Sequence, residues 1–249
     1  MHRSMGSLSK ESIATHDQND EESKKITQMR ALVEAQDPSA KEVDDKALRR
    51  FLRARDRDID KASAMFLKYL KWRKSTIPNG FISDEEVKNE LEQDKVYMQG
   101  VDKTGRPVVV VYGGRHYYSK RDMNEFKRYV IYCLEKICAR MPEGHEKFMG
   151  ICDLKGWGYS NCDIRAYLAA LDILQNYYPE RLGKVFLVHV PSMFMKAWKI
   201  VYPFIDKNTR EKIVFVDDND LQTVLLNDID ESQLPDVYGG KLQLVCIGD

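Results

Sequence analysis

The stretch GVDKTGRPVVVVY, residues 100–112, is where the chain changes character. Gly100, Asp102, Gly105 and Pro107 are turn formers, and they lead the backbone into four consecutive valines and Tyr112. A β-branched run of that density, without polar alternation, predicts a strand buried on both faces. From there, helical and strand patterns alternate. A long helix is expected from about Arg121 to Arg140, ended by Pro142 and Gly144, then a strand from Phe148 to Leu154. Asp163 to Tyr177 reads as a helix stopped at Pro179, Val185 to Val190 as another buried strand, and Lys212 to Val216 as a short one. Strands alternating with helices imply right-handed crossovers and a mainly parallel sheet flanked by helices, an α/β fold.

Upstream the pattern is helical throughout. Ile26, Met29, Leu32 and Val33 recur at three- and four-residue spacing. A second helix begins at Asp44 or Asp45 and carries Leu48, Phe51, Leu52 and Ala54; a third follows Asp58, a suitable cap, and carries Ala62, Met65, Phe66, Tyr69, Leu70 and Trp72. Pro78-Asn79-Gly80 is a turn signal. The residues before about Glu22 are polar, rich in Ser, Asp and Glu, and without apolar periodicity, which predicts a flexible tail. The expected organisation is an acidic tail over 1–23, a helical lobe over 24–94 and an α/β lobe over 95–249.

Composition narrows the function. Of 249 residues, 43% are hydrophobic and 31% charged, and 39 basic residues balance 39 acidic ones. A chain so balanced has no global field for nucleic acid or an anionic surface. No apolar run approaches the roughly 20 residues that span a bilayer, and the polar start lacks a signal-peptide core. The five cysteines form no C-x-x-C pair, so reduced core thiols in a cytoplasmic protein are expected.

A catalytic constellation is missing. There is no G-x-S-x-G elbow, no H-E-x-x-H and no Walker loop. Cys152 ends a predicted strand, but Gly158 stands where a thiolate phosphatase needs its arginine, so a core thiol is the better reading. Gly113-Gly114-Arg115 has the makings of a phosphate cradle, although glycine pairs after strands are more often plain turns. The five histidines never pair at ligand spacing, so no metal is expected, and His189 reads as a strand or pocket histidine.

The unusual segment is PSMFMKAWKIVYPFI, residues 191–205. Phe194, Trp198, Val201 and Ile205 fall on one helical stripe, with Met193, Ala197 and Ile200 beside it and Lys196 and Lys199 as the only charges. Periodicity alone favours a core helix. The other reading is a movable gate, apolar inward toward a ligand and outward toward a membrane, with the lysines at headgroup level.

LRRFLRAR (48–55), GxDKxGRP (100–107), DLKG (153–156), YYPERLGK (177–184), YPFID (202–206) and LPxxYGG (234–240) occur in this order. Together they resemble the CRAL-TRIO lipid-binding family, and the chain is similar to its short plant-type phosphatidylinositol-transfer-like members. The resemblance implies a non-enzymatic carrier that holds one phospholipid, phosphatidylinositol above all, in a cavity closed by a gate helix, and that meets membranes transiently from the cytoplasm. It implies headgroup contacts from Arg55, Glu180, Thr209 and Lys212, and a gate comprising Phe194, Trp198, Val201, Tyr202 and Phe204. Arg55 and Lys212 suit a phosphate, Thr209 and Glu180 hydroxyls. The bound lipid is the expected ligand, with no metal or other cofactor, and a lipid kinase or another protein is a possible partner. Two features depart from the family pattern. Asp56 stands where a basic residue is usual, with Arg57 available to compensate, and Gly158 replaces a hydroxyl common in choline-lipid exchangers, leaving Ser160. They keep open a sterol- or tocopherol-type isoprenoid carrier, and a lipid-sensing regulatory module for a kinase or GTPase.

Overall fold

Asp44 and Asp58 each start a helix by accepting a backbone N–H three residues on, from Ala47 at 2.8 Å and from Lys61 at 3.0 Å. The structure is a computed structural model that describes the backbone of residues 5–120 and 122–248, with side chains from Asp20 onward except Lys120. It divides into two units, meeting between Pro78 and Asn79. The division thus falls at the turn signal and not at 94/95. Residues 88–91 belong to the second unit, where Asn89 donates its backbone and side-chain N–H groups to Glu125 at 2.8 and 2.9 Å.

The first unit contains helices α1 (Met5–Gln36), α2 (Asp45–Arg53) and α3 (Ile59–Thr76). Met29, Val33, Leu48, Leu52 and Phe66 form its core, and Phe51 meets Phe66 edge-on at 5.2 Å. The expected flexible tail is corrected here. Residues 1–4 lie outside the described residues, but the backbone is helical from Met5. Once Ile26, Met29 and Val33 have nucleated and anchored the helix, extending it toward the N-terminus costs little per residue. Glu22 is itself buried, accepting two 2.7 Å hydrogen bonds from Arg53 with Arg49 and Arg57 close by, and these guanidinium groups hold its carboxyl below the usual range.

The second unit runs α4 (Lys88–Leu91), β1 (Val96–Val101), β2 (Pro107–Tyr112), α5 (Met123–Ala139), β3 (Phe148–Asp153), α6 (Ile164–Tyr177), β4 (Leu182–Val188), α7 (Phe194–Val201), α8 (Lys207–Arg210), β5 (Ile213–Phe215) and α9 (Leu221–Asp228). The sheet order is β1-β2-β3-β4-β5; β2 to β5 are parallel, and β1 is an antiparallel edge. Buried Asp102 organises the turn before β2. Its carboxylate accepts from the backbone and side chain of both Thr104 and Arg106, and Gly105 between them has φ +85°, a region that favours glycine.

Period-two alternation sorts each strand onto two sides. Val108, Val110, Met149, Ile151, Phe186 and Val188 form one packed core with Leu225 of α9, with Ile229 just after it, and with Leu234 and Tyr238. Their neighbours Val109, Val111, Phe148 and Cys152 face the other way, into a cavity. The valine run is buried on both faces as predicted, with one face packed and the other lining the cavity.

Candidate functional site: a cavity over one face of the sheet

The cavity has a volume of about 450 Å³. The sheet is one wall; α5 contributes Tyr129, Leu134 and Ile137, α6 contributes Tyr167, Leu171 and Leu174, and α7 contributes Phe194, Ala197, Trp198 and Val201. Gly150, on the cavity side of β3 between Phe148 and Cys152, leaves room where a Cβ would meet Val185 at 3.1 Å.

The segment 194–205 is shorter as a helix than its periodicity suggests. It becomes a 3-10 turn at Tyr202–Phe204, where Pro203 cannot continue the α-helical ladder. Phe194, Trp198 and Val201 border the cavity, and Trp198 meets Phe215 edge-on at 5.2 Å. Ile200, Tyr202 and Phe204 lie outside and are 53%, 41% and 59% exposed, values that make the element apolar on both sides. Its C-terminal end is fastened by two residues that carry no sequence signal. Gln175 donates to the Phe204 carbonyl at 3.1 Å and accepts from Asp206 N at 2.7 Å, while Arg210 donates to the Ile205 carbonyl and stacks over the Tyr202 ring at 4.3 Å.

Glu180 and Lys212 come together just before β4 and β5, with 3.7 Å between the carboxylate and the ammonium. Lys147, which no motif singled out, approaches the other oxygen of Glu180 at 3.2 Å. Glu180 has φ +60°, a left-handed conformation costly for a residue with a side chain. Thr209 donates its hydroxyl to Asp206 at 2.7 Å and accepts Lys212 N at its backbone carbonyl. Arg55 belongs to the first unit, following α2, where it donates to the Ala54 carbonyl at 2.9 Å. Arg57 approaches Glu22 at 3.6 Å.

The other candidates resolve into structural roles. Cys152 lies in β3, and burial pushes its thiol up to about 12, far from a reactive thiolate. Gly113–Arg115 is a 3-10 turn; a Cβ on Gly114 would strike the Lys155 carbonyl, and Arg115 is spent on the Asp94 carbonyl and the Tyr97 hydroxyl. His189 contacts buried Asp153 at 2.9 Å, and the second Asp153 oxygen accepts from Tyr238 at 2.9 Å, so the DLKG and LPxxYGG segments are tied together. Among the described residues no His/Cys/Asp/Glu group could hold a metal, and no helix is long and apolar enough to cross a membrane.

The CRAL/TRIO domain model matches residues 91–240. A CRAL-TRIO domain-containing protein of Saccharomyces cerevisiae is 36% identical over 222 residues, 80% of this chain and 71% of that protein. The SEC14 cytosolic factor of Candida glabrata is 34% identical, over 81% of this chain and 72% of that protein. A phosphatidylinositol/phosphatidylcholine transfer protein of Arabidopsis thaliana, SFH11, is 32% identical over 80% of this chain and 57% of that protein. Among solved structures, that of Sfh5 superposes with a TM-score of 0.65 at 20% identity, covering 83% of this chain and 84% of the other, a likeness of fold.

Proposed function

The chain belongs to the CRAL/TRIO family, and from that premise we propose that it is a lipid carrier whose cargo is a phospholipid with an inositol headgroup. The observation that supports this most is the cavity, apolar along most of its wall and bordered by a helix apolar on both sides. Each CH₂ kept from water is worth about 0.8 kcal/mol, so an acyl chain exposed in transit costs on the order of 10 kcal/mol. A covering helix avoids that cost, and exchange follows when its outer face, with Ile200, Tyr202 and Phe204, meets a bilayer. Lys212 and Lys147 around Glu180 supply charge and hydrogen bonding for an inositol phosphate, with Thr209 able to turn from Asp206 to the ligand. The carrier works from the cytoplasm, catalyses no reaction, and meets membranes, and any lipid-kinase partner, transiently.

Transfer of labelled phosphatidylinositol between vesicles tests this. Lys212→Ala is expected to lower the rate about tenfold, since hydrogen bonds to charged groups contribute about 1.5–3 kcal/mol, and Thr209→Ala to lower it about threefold. Unchanged transfer in both would remove the headgroup assignment while leaving the carrier reading standing.

A further inference from the structure

Five residues, His189 to Met193, carry the chain from the end of β4 to the start of α7. Their backbone is loosely held. Pro191 has no N–H to give, and among the described residues none of the other four donates a backbone hydrogen bond to another backbone group. What fixes the first of them is its side chain. His189 has φ +50°, a left-handed backbone that a residue with a Cβ keeps only where its surroundings impose it. Its Nδ1 lies 2.9 Å from Oδ1 of Asp153, the last residue of β3. An ionised carboxylate only accepts, so the imidazole donates.

The anchor is rigid. Asp153 is buried; its Oδ1 also accepts Lys155 N at 2.8 Å, and its Oδ2 accepts the Tyr238 hydroxyl at 2.9 Å. Burial, with the Asp153 charge beside it, pushes the Tyr238 hydroxyl up, so it keeps its proton and goes on donating. No lysine or arginine among the described residues pairs with Asp153, so His189 is the basic side chain that meets it. The gate element is thereby tethered by side chains at both ends, by Gln175 and Arg210 around Phe204 and Ile205 and by His189 before Phe194.

Two features of His189 oppose one another. The left-handed backbone is a cost carried while α7 borders the cavity, and the bond to Asp153 offsets it. Once that bond breaks, His189 can return to an ordinary backbone, the five-residue connection changes direction, and α7 can move with Phe194 at its head. Relief of the backbone then recovers part of what the broken bond cost. We propose that His189 is a positioning residue of the gate, a latch fastened to Asp153 that holds α7 over the cavity and sets how often the cavity opens. A latch is of use only where α7 covers cargo, so this role rests on the carrier reading above.

Cavity thiols report the latch without any lipid. Cys133 and Cys152 line the cavity, and Cys138 is not among its lining residues. The full chain is treated with iodoacetamide at pH 8, and alkylation of each thiol is followed by peptide mass spectrometry. His189→Ala keeps the backbone cost and loses the bond, so Cys133 and Cys152 should react about tenfold faster while Cys138 is unchanged. His189→Gly loses the cost together with the bond, so the rise should be smaller, about threefold. His189→Asn places an amide N–H where Nδ1 stood, and asparagine visits the left-handed region, so rates should stay within about twofold of native. Unchanged rates at Cys133 and Cys152 in His189→Ala overturn the latch. So does acceleration at Cys152 alone, which marks loosening confined to the end of β3. Acceleration of all three thiols alike marks unfolding of that variant; His189→Gly then decides, and native rates in it overturn the proposal. Labelled phosphatidylinositol loaded into the chain should be lost in the same order of variants. Cavity thiols that respond in a chain retaining no phosphatidylinositol would keep the latch and remove the inositol cargo.

Discussion

The two faces of one sheet are covered by different means. On one, Val108, Val110, Ile151 and Phe186 pack directly against α9 and the segment around Leu234 and Tyr238. On the other, Val109, Val111, Phe148 and Cys152 look into a cavity that α5, α6 and α7 arch over. The residues alternate along the same strands, and their chemistry differs little. What differs is the cover. A side chain on the packed face gains dispersion contacts on all sides, whereas one on the hollow face is removed from water without that gain. Burial and side-chain contact are therefore separate quantities on the two faces.

The comparison breaks most visibly at Phe186, which is fully buried on the packed face. Phe186→Ala should cost about 3–5 kcal/mol in urea unfolding, because a large ring leaves a cavity its rigid neighbours cannot fill. A cost below about 1 kcal/mol would mean that the face is not packed as described. Next in size is Asp153→Asn. Its carboxylate holds Tyr238, His189 and the Lys155 backbone N–H, and loosening that set should cost about 2 kcal/mol.

Filling the hollow face should act on function more than on stability. Ala170 of α6 lines the cavity. Ala170→Phe adds apolar volume where space exists, so unfolding free energy should stay within about 1 kcal/mol of the native value, while lipid transfer between vesicles should drop at least about tenfold. Normal transfer would place the cargo elsewhere.

This contrast could not be read from the sequence. The valine run at 108–111 announces a strand covered on both sides, and nothing in it says by what. Asp58 was legible as a cap, and a helix start at Asp44 or Asp45, because capping is local, and the parallel sheet was legible because helices separate its strands. β1 was not: Gln99 and Gly100 spoil its alternation, and it is held by pairing with β2 and by the bond from Met98 N to the Val245 carbonyl at 3.2 Å. The helix before Glu22 was missed because its buried contact is with Arg53, 31 residues away. In the candidate site, motifs pointed to Glu180 and Lys212, but Lys147 approaches Glu180 only through the pairing of β3 with β4.

Cys152 offers the smallest effect and the finest comparison, since its neighbour Ile151 points to the packed face. Cys152→Ala removes one sulfur from a side chain that borders the cavity, so it should cost less than about 1 kcal/mol in urea, against about 2–5 kcal/mol for Ile151→Ala. The thiol also reports on the cavity's dryness. Burial raises it to about 12, so at pH 8 it is protonated, and its thiolate fraction grows as pH rises toward that value. Alkylation of Cys152 in the native chain at pH 8 should be at least about tenfold slower than in urea, and should accelerate as the pH is raised toward 10. Equal rates at pH 8 would mean that water reaches the hollow face freely, and the distinction between the two sides of the sheet would reduce to one between core and surface.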